Sequence, residues 1–225
     1  MPDKKPLPLR LVTVLSEGIR AFLNSPAALM ARSLYVLAVP AVVLAIWQAG
    51  ESTREGNPIF FWVYLFIWCG SFFVTGYVGW PLARTALAAA SPDLSSDRDD
   101  DWWVRDGFVR ATAAFSFTVA VGMVFLVIPG LMVLMIYTFY PFLIIEKKTK
   151  GFMSLAMSAE LTSGNRIRLL IVALVMAVLF IPAAFWFYRS GPGLVGILGF
   201  WLLAAPALSV AAVTMAAAYR ILTDN

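Results

Sequence analysis

The most restrictive feature of this sequence is a series of apolar stretches, each long enough to cross a lipid bilayer. The block from Gly107 to Glu146 alone suffices for two crossings, at about 20 residues each. Val127-Ile128-Pro129-Gly130 lies in its middle, where Pro and Gly end one helix and begin the next. Because lipid offers no hydrogen-bonding partners, only helices satisfy their backbone within such single segments. The sequence therefore predicts an all-α, polytopic membrane helical bundle.

Composition supports the same class. Of the 225 residues, 61% are hydrophobic and 13% are charged, and the mean hydropathy is +0.82. A soluble domain is about half apolar and about one quarter charged. The beginning, Met1 to Arg10, is basic, but an amphipathic stretch without a small-residue cleavage site follows it. We therefore expect no cleavable signal peptide.

We predict a single integral membrane domain over residues 1–225, with about six transmembrane helices and two short amphipathic surface helices. The last span contains Pro206, where we expect a bend. The surface helices are predicted at 9–24 and 150–163, and the spans at about 26–48, 58–90, 107–128, 130–147, 166–188 and 193–220.

Basic residues are distributed unevenly over the connecting segments. If the N-terminus, the 84–110 and 147–168 loops and the C-terminus share one side, that side holds 15 of the 17 Lys and Arg residues. The other side keeps Arg54 and Arg189. This asymmetry predicts a bacterial cytoplasmic (inner) membrane protein with both termini in the cytoplasm. The pI of 9.4 is interpreted as this orientation signal, and no nucleic-acid partner is expected.

Both predicted surface helices have segregated faces. They either rest in the membrane interface or pack against the floor of the bundle, and the pattern leaves both readings open. The polar stripe of the first helix consists of Arg10, Thr13, Glu17, Arg20 and Asn24. Its opposing apolar stripe consists of Leu11, Leu15, Ile19 and Phe22. The apolar face of the second helix consists of Phe152, Leu155, Ala156 and Ala159.

One segment resembles a known family. Residues 151–170 read GFMSLAMSAELTSGNRIRLL, an amphipathic helix closed by Gly164-Asn165 ahead of a span. With Ile128-Pro129-Gly130, Tyr140-Pro141 and Glu146 upstream, the region resembles the membrane domains of glycerophosphodiester phosphodiesterases and YciC-type bacterial inner-membrane proteins. In the phosphodiesterases, catalysis belongs to a separate soluble domain, and this chain ends after span six. The resemblance therefore implies a membrane part without assigned activity.

Chemistry-bearing residues are scarce. The chain has no histidine and one cysteine, Cys69, so it lacks the commonest general base and the commonest ligand for haem, zinc and copper. No carboxylate falls at the centre of a span and no broken, polar-lined helix is recognised, which argues against ion-coupled transport. We predict no enzyme, no catalytic residue, no metal and no cofactor. The acidic cluster lacks the spacing of a calcium loop and is interpreted as a solvated loop or a docking patch: Asp97, Asp99, Asp100 and Asp101.

Helix contact is the property that the spans do indicate. Small residues recur every four positions along spans two and three, a spacing that lets another helix approach closely. We expect these two ridges to pack against each other or against another subunit. Interfacial anchors are predicted at the loop boundaries. The ridges comprise Ser71, Thr75, Gly79 and Ala83, and Ala114, Thr118 and Gly122; the anchors are Trp102, Trp103, Lys147, Lys148 and Lys150.

The leading hypothesis from the sequence is a non-catalytic accessory or scaffold subunit of a larger membrane complex, with membrane lipids and other integral membrane subunits as partners. The alternatives are a passive carrier or channel for a lipid-like or small neutral solute, and a membrane-lipid sensor that works through the two surface helices. A polar midplane cavity favours the carrier, and a dry, tightly filled interior argues against it.

Overall fold

The computed structural model describes residues 9–49, 63, 66–67, 70–71, 74–75, 77–91, 102–125, 127–191 and 193–224. These residues form helices and turns, with 88% helix and no strand. The prediction of an all-α fold is confirmed for this part of the chain.

The helices follow one another with short connections. The described positions from 63 to 78 are also helical and lead into the third helix through Gly79. The helices are α1 (Leu11–Asn24), α2 (Pro26–Ala49), α3 (Trp80–Ala90), α4 (Trp102–Phe125), α5 (Val127–Ile136), α6 (Tyr140–Lys147), α7 (Gly151–Leu161), α8 (Arg166–Val178), α9 (Ile181–Ser190) and α10 (Leu194–Thr223).

Three helical stretches are long and apolar enough to cross a membrane: Pro26–Val43, Gly130–Lys147 and Leu194–Thr223. A fourth exists if α7 and α8, which meet at an angle of 99°, are taken as one broken span. The chain thus has the helices of a membrane protein. The count of six spans stays a prediction from the sequence.

Two of the predicted single spans are each divided into two helices. The span at 130–147 breaks at Tyr137–Phe139, and the span at 166–188 breaks at Leu179–Phe180. In both cases the second helix has proline at its second position, Pro141 in α6 and Pro182 in α9. Proline has no N–H to donate and its ring clashes with the preceding turn, so the helix ends before it. The longest helix, α10, nevertheless continues through Pro206.

The central element is α10, against which α1, α2, α3 and α9 pack. Its buried face is rich in alanine, which lets these neighbours come close. Two polar contacts join it to α2: the hydroxyls of Ser209 and Ser33 lie 2.8 Å apart, and Trp201 Nε1 donates to the carbonyl of Leu34 at 2.8 Å. A second cluster, around Phe108 and Tyr140, holds α4, α6 and α7 together.

Both predicted surface helices pack against the bundle. In α1, Val14, Gly18 and Ala21 are buried, whereas Ile19, expected on the apolar stripe, is 53% exposed. The predicted apolar face of α7 is buried only in part, because Leu155 lies in the core whereas Phe152 is 67% exposed. Beside Leu155, the helix buries three small residues that let it approach its neighbours closely: Gly151, Ser154 and Ser158.

Candidate functional site

A charged pocket opens where α1, α3 and the C-terminal end of α10 meet. Its volume is about 510 Å³, and we call it the charged pocket throughout. Glu17 and Arg20 of α1 face Arg220 and Asp224 of α10 across it. The remaining lining is made of Ala21, Asn24, Ala89, Ala90, Ala217 and Ile221.

The short side chains on all three helices explain why the pocket is open. One turn before Ala21, Gly18 brings α1 into direct contact with Thr214 of α10, so the two helices are held close at that point. Alanine at positions 21, 89, 90 and 217 does not fill the space beyond this contact. The pocket is thus a consequence of side-chain size next to a close helix crossing.

Arg220 fixes the inner wall of the pocket. Its Nη1 donates to Oε1 of Glu146 at 2.9 Å, and its Nη2 lies 3.4 Å from Oδ1 of Asp224. The side chains of Arg220 and Glu146 are only 25% and 16% exposed, so this pair joins α10 to α6 inside the bundle. The buried hydroxyl of Tyr219 and Oε2 of Glu146 face each other, but neither meets hydrogen-bond geometry within the described part of the chain.

An apolar groove lies on the outer side of the bundle, between α2 and the described helical positions that include Ile67, Gly70 and Val78. Its volume is about 430 Å³, and we call it the apolar groove. A Cβ added at Gly70 would have nothing within 4 Å in the part of the chain that the structure describes, so the groove is open there. Its lining is Tyr35, Ala38, Val39, Val42, Val43, Ile67, Gly70, Ser71, Val74 and Val78.

A polar cluster surrounds the break between α5 and α6. The Ser158 hydroxyl donates to the carbonyl of Ile136 at 3.0 Å and accepts from the N–H of Phe139 at 3.2 Å. Thr162 Oγ1 adds a second bond to the carbonyl of Ile136 at 3.3 Å. The prediction that the chain has no broken, polar-lined helix was therefore wrong. The serine and threonine of α7 replace the backbone bonds that the break removes, so these polar groups already have partners.

Asn165 links two segments of the bundle that are far apart in the sequence. Gly164 has a φ of 82°, which ends the α7 turn as the Gly-Asn sequence predicts. The buried Oδ1 of Asn165 then accepts a hydrogen bond from the N–H of Leu9 at 3.2 Å, across 156 positions of sequence. This bond holds the entrance to α1 against the start of α8.

The structure disperses the residues of the two predicted small-residue ridges. Ser71 lines the apolar groove, whereas Ala83 packs against the main core and Ala114 against the second cluster. Thr75, Gly79 and Gly122 are half-buried. Thr118 is exposed and its hydroxyl donates to Ala114 of its own helix at 2.7 Å.

Two close helix contacts were not predicted from the sequence, at Gly18 against Thr214 and at Gly107 against Gly151. A Cβ at Gly151 would overlap the carbonyl oxygen of Gly107, so α4 and α7 touch by backbone. An isolated glycine inside an otherwise good helix was the available signal, since such a residue usually has a packing reason.

The predicted anchors lie at helix ends. Trp103 is exposed at the start of α4, and Trp102 begins that helix. Lys147 and Lys150 are exposed, and Lys148 ends α6 in the left-handed conformation at a φ of 46°. The acidic cluster at 97–101 lies outside the described residues. Within them, no group of three or more His, Cys, Asp or Glu could hold a metal ion.

No family model matches the chain, and no curated protein or solved structure was found to be significantly similar to it. The resemblance to YciC-type membrane proteins stays a prediction from the residues that carry it.

Proposed function

We propose that this protein is a non-catalytic accessory subunit that holds one apolar transmembrane helix of a partner protein in its apolar groove. The observation that carries the proposal is the groove itself. It is a lateral concavity of about 430 Å³, on the face of α2 that α10 does not cover.

The lining favours a helix as the occupant. Ala38, Gly70 and Ser71 leave backbone close to the surface, and small residues of this kind let a second helix approach and gain dispersion contacts that lipid does not match. The lining runs from Tyr35 to Val43 on one wall and from Ile67 to Val78 on the other, which is about 12–16 Å of helix at 1.5 Å per residue. That length accommodates two to three turns of a partner.

The interior supports a structural role. The main core is filled by large apolar side chains such as Leu29, Phe139, Leu143 and Leu169. The polar groups at the α5–α6 break are bonded to one another. A core filled by apolar side chains, with the polar groups at the helix break already bonded, weakens the reading as a channel for a neutral solute. We place the protein in a bacterial cytoplasmic membrane with both termini inside, on the basis of the charge asymmetry.

A carrier for a lipid-like solute is the second candidate. The groove opens sideways and its surface is apolar, so an acyl chain could enter it from the membrane. This candidate predicts that a bound lipid or other apolar solute, and no protein, is recovered with the purified chain.

The experiment that tests the first candidate is affinity purification from the native membrane in a mild detergent, followed by mass measurement of the assembly. We expect a stoichiometric complex with another membrane protein for the wild type. Gly70→Leu and Ala38→Leu fill the groove without burying a polar group, and they should release the partner. Ala177→Leu, on the exposed face of α8, is the matched control and should retain it. Recovery of the wild type as a lone monomer or homodimer would exclude the proposal.

A further inference from the structure

The charges in the charged pocket balance. The formal charges of the lining side chains sum to zero, since the guanidinium groups of Arg20 and Arg220 are matched by the carboxylates of Glu17 and Asp224. Within each helix the pairing is loose: Arg20 Nη1 lies 3.7 Å from Glu17 Oε1, and Arg220 Nη2 lies 3.4 Å from Asp224 Oδ1. Good N–H···O bonds are near 2.9 Å. A ligand that carries both charges can therefore gain hydrogen bonds at these loosely paired groups without breaking the strong pair of Arg220 with Glu146, at 2.9 Å behind the pocket wall.

The depth of the pocket in the membrane follows from the length of α10. Its 30 residues extend about 45 Å, whereas the hydrocarbon core is about 30 Å thick and the bilayer with headgroups about 40–45 Å. The ends of α10 therefore reach the headgroup layer. Arg220 and Asp224 lie at its last turn and cap, which puts the charged pocket at the level of lipid phosphates and amines.

A feature of α1 brings lipid next to the pocket. Val12, Ile19 and Leu23 are all exposed, and at 100° per residue they fall within about 40° of one another. Glu17 and Arg20 lie about 80–140° around the helix from this stripe, and the packed face with Gly18 occupies the remaining side. A helix with an exposed apolar stripe beside a charged face is typical of the membrane interface.

We propose that the charged pocket binds a phosphate ester that carries a primary ammonium group, the chemistry of the phosphatidylethanolamine headgroup. The phosphate accepts hydrogen bonds from Arg20 and from the outward edge of Arg220. The ammonium donates to the carboxylates of Glu17 and Asp224. A choline headgroup has no N–H to donate, and a glycerol headgroup brings no cation to the two carboxylates. This inference is independent of the apolar groove and of any partner protein.

The test is native mass spectrometry of the full-length protein in detergent, with phosphatidylethanolamine, phosphatidylcholine and phosphatidylglycerol of identical acyl chains. We expect one tightly retained phosphatidylethanolamine, preferred about threefold to fivefold over each of the others. That range corresponds to exposed charge contacts worth up to about 1 kcal/mol. Equal retention of all three lipids would contradict a headgroup site.

Variants connect the preference to the pocket. Arg20→Gln removes a phosphate donor and should weaken retention of all three lipids. Glu17→Gln removes one negative charge from the pocket and should move the preference toward phosphatidylglycerol. Both side chains are largely exposed, at 77% and 49%, so neither change threatens the fold. Arg110→Gln and Asp106→Asn alter a comparably exposed ion pair on α4, at 2.8 Å, and should change nothing.

Competition with soluble phosphoethanolamine separates the two sources of this chemistry. Displacement of the bound lipid by millimolar phosphoethanolamine shows that the headgroup alone is recognised. Binding of the soluble compound without any lipid preference, and lost in Arg20→Gln, assigns the pocket to a free zwitterionic phosphate ester. No lipid preference together with no binding of phosphoethanolamine would overturn the proposal, as would pocket variants that behave like the α4 controls.

Discussion

Gly18 of α1 lies directly against Thr214 of α10: a Cβ at Gly18 would be 2.8 Å from the Cα of Thr214 and 2.9 Å from its Cβ. Real Cβ atoms do not approach other atoms this closely, so the absent side chain sets the distance between the two helices. The same contact determines how the charged pocket opens one turn further along.

Gly18→Ala should therefore separate α1 from α10 and destabilise the fold by about 1–3 kcal/mol, the usual cost of overpacking. The matched control is Gly70→Ala, where the added methyl meets open space in the described part of the chain. That change should be neutral or stabilising by about 0.5–1 kcal/mol through helix propensity. The measurement is the melting temperature in mild detergent, followed by tryptophan fluorescence. Equal melting temperatures for the two variants would show that the contact is not tight.

Ser158→Ala should lower the free energy of unfolding by about 1–3 kcal/mol. The change leaves the N–H of Phe139 without its acceptor and removes one hydrogen bond from the carbonyl of Ile136, at a buried helix break. Ser154→Ala is the control on the same helix. Ser154 is equally buried, but its hydroxyl bonds only to Gly151 of α7 itself, so its loss should cost much less. Thermal unfolding of both proteins in one detergent is the measurement. If Ser154→Ala lowers the free energy of unfolding as much as Ser158→Ala does, Ser158 does not stabilise the protein through its hydrogen bonds to the broken helix.

The ion pair between Glu146 and Arg220 should show strong coupling in a double-mutant cycle. Glu146→Ala leaves a half-buried guanidinium with only the more exposed Asp224, and we expect a loss of about 1–3 kcal/mol. Asp224→Ala, at a carboxylate that is 60% exposed, should cost below about 1 kcal/mol. Arg220→Ala should lower the free energy of unfolding less in the Glu146→Ala background than it does in the wild type. Additive losses in the cycle would mean that the pair does not contribute as a unit.

The orientation can be tested with single cysteines in a Cys69→Ser background. Cysteines at Lys150 and Asp224 should be labelled from the cytoplasmic side, and a cysteine at Arg189 from the opposite side. Arg189 is in the last turn of α9, and Asp224 follows the far end of α10. The reagent is a membrane-impermeant maleimide, applied to intact and to permeabilised cells. Labelling of position 189 and position 224 from the same side would exclude the predicted topology.

The helical class and the positions of most helices could be predicted, because long apolar stretches leave the backbone no other choice in lipid. The divisions at Tyr137–Phe139 and Leu179–Phe180 were missed, although Tyr140-Pro141 and Ile181-Pro182 encode them. A hydropathy average over a whole span is barely changed by one proline. The helix nevertheless ends where that proline removes a single backbone hydrogen bond.

The packed faces were harder to predict for a related reason. Apolar periodicity assigned Phe152 and Ile19 to apolar faces without deciding between bundle and membrane interface, because in lipid large apolar residues are as well accommodated outside. Glycine, alanine and serine decide which faces meet, since they set how closely two helices approach. The charged pocket could not be found from the sequence, because Glu17 and Arg220 come from opposite ends of the chain and no periodic signal connects them.

The contact between α1 and α10 has a consequence for biosynthesis. The ribosome makes α1 well before α10, so the face of α1 that contacts α10 lacks this partner while the intervening helices, including its smaller neighbour α3, are translated. During that time the membrane interface is the place where an amphipathic helix with Val12, Ile19 and Leu23 on one side is stable. The two locations that the sequence left open for this helix can thus be successive stages in one lifetime, first at the lipid surface and then, once α10 has been made, against the bundle.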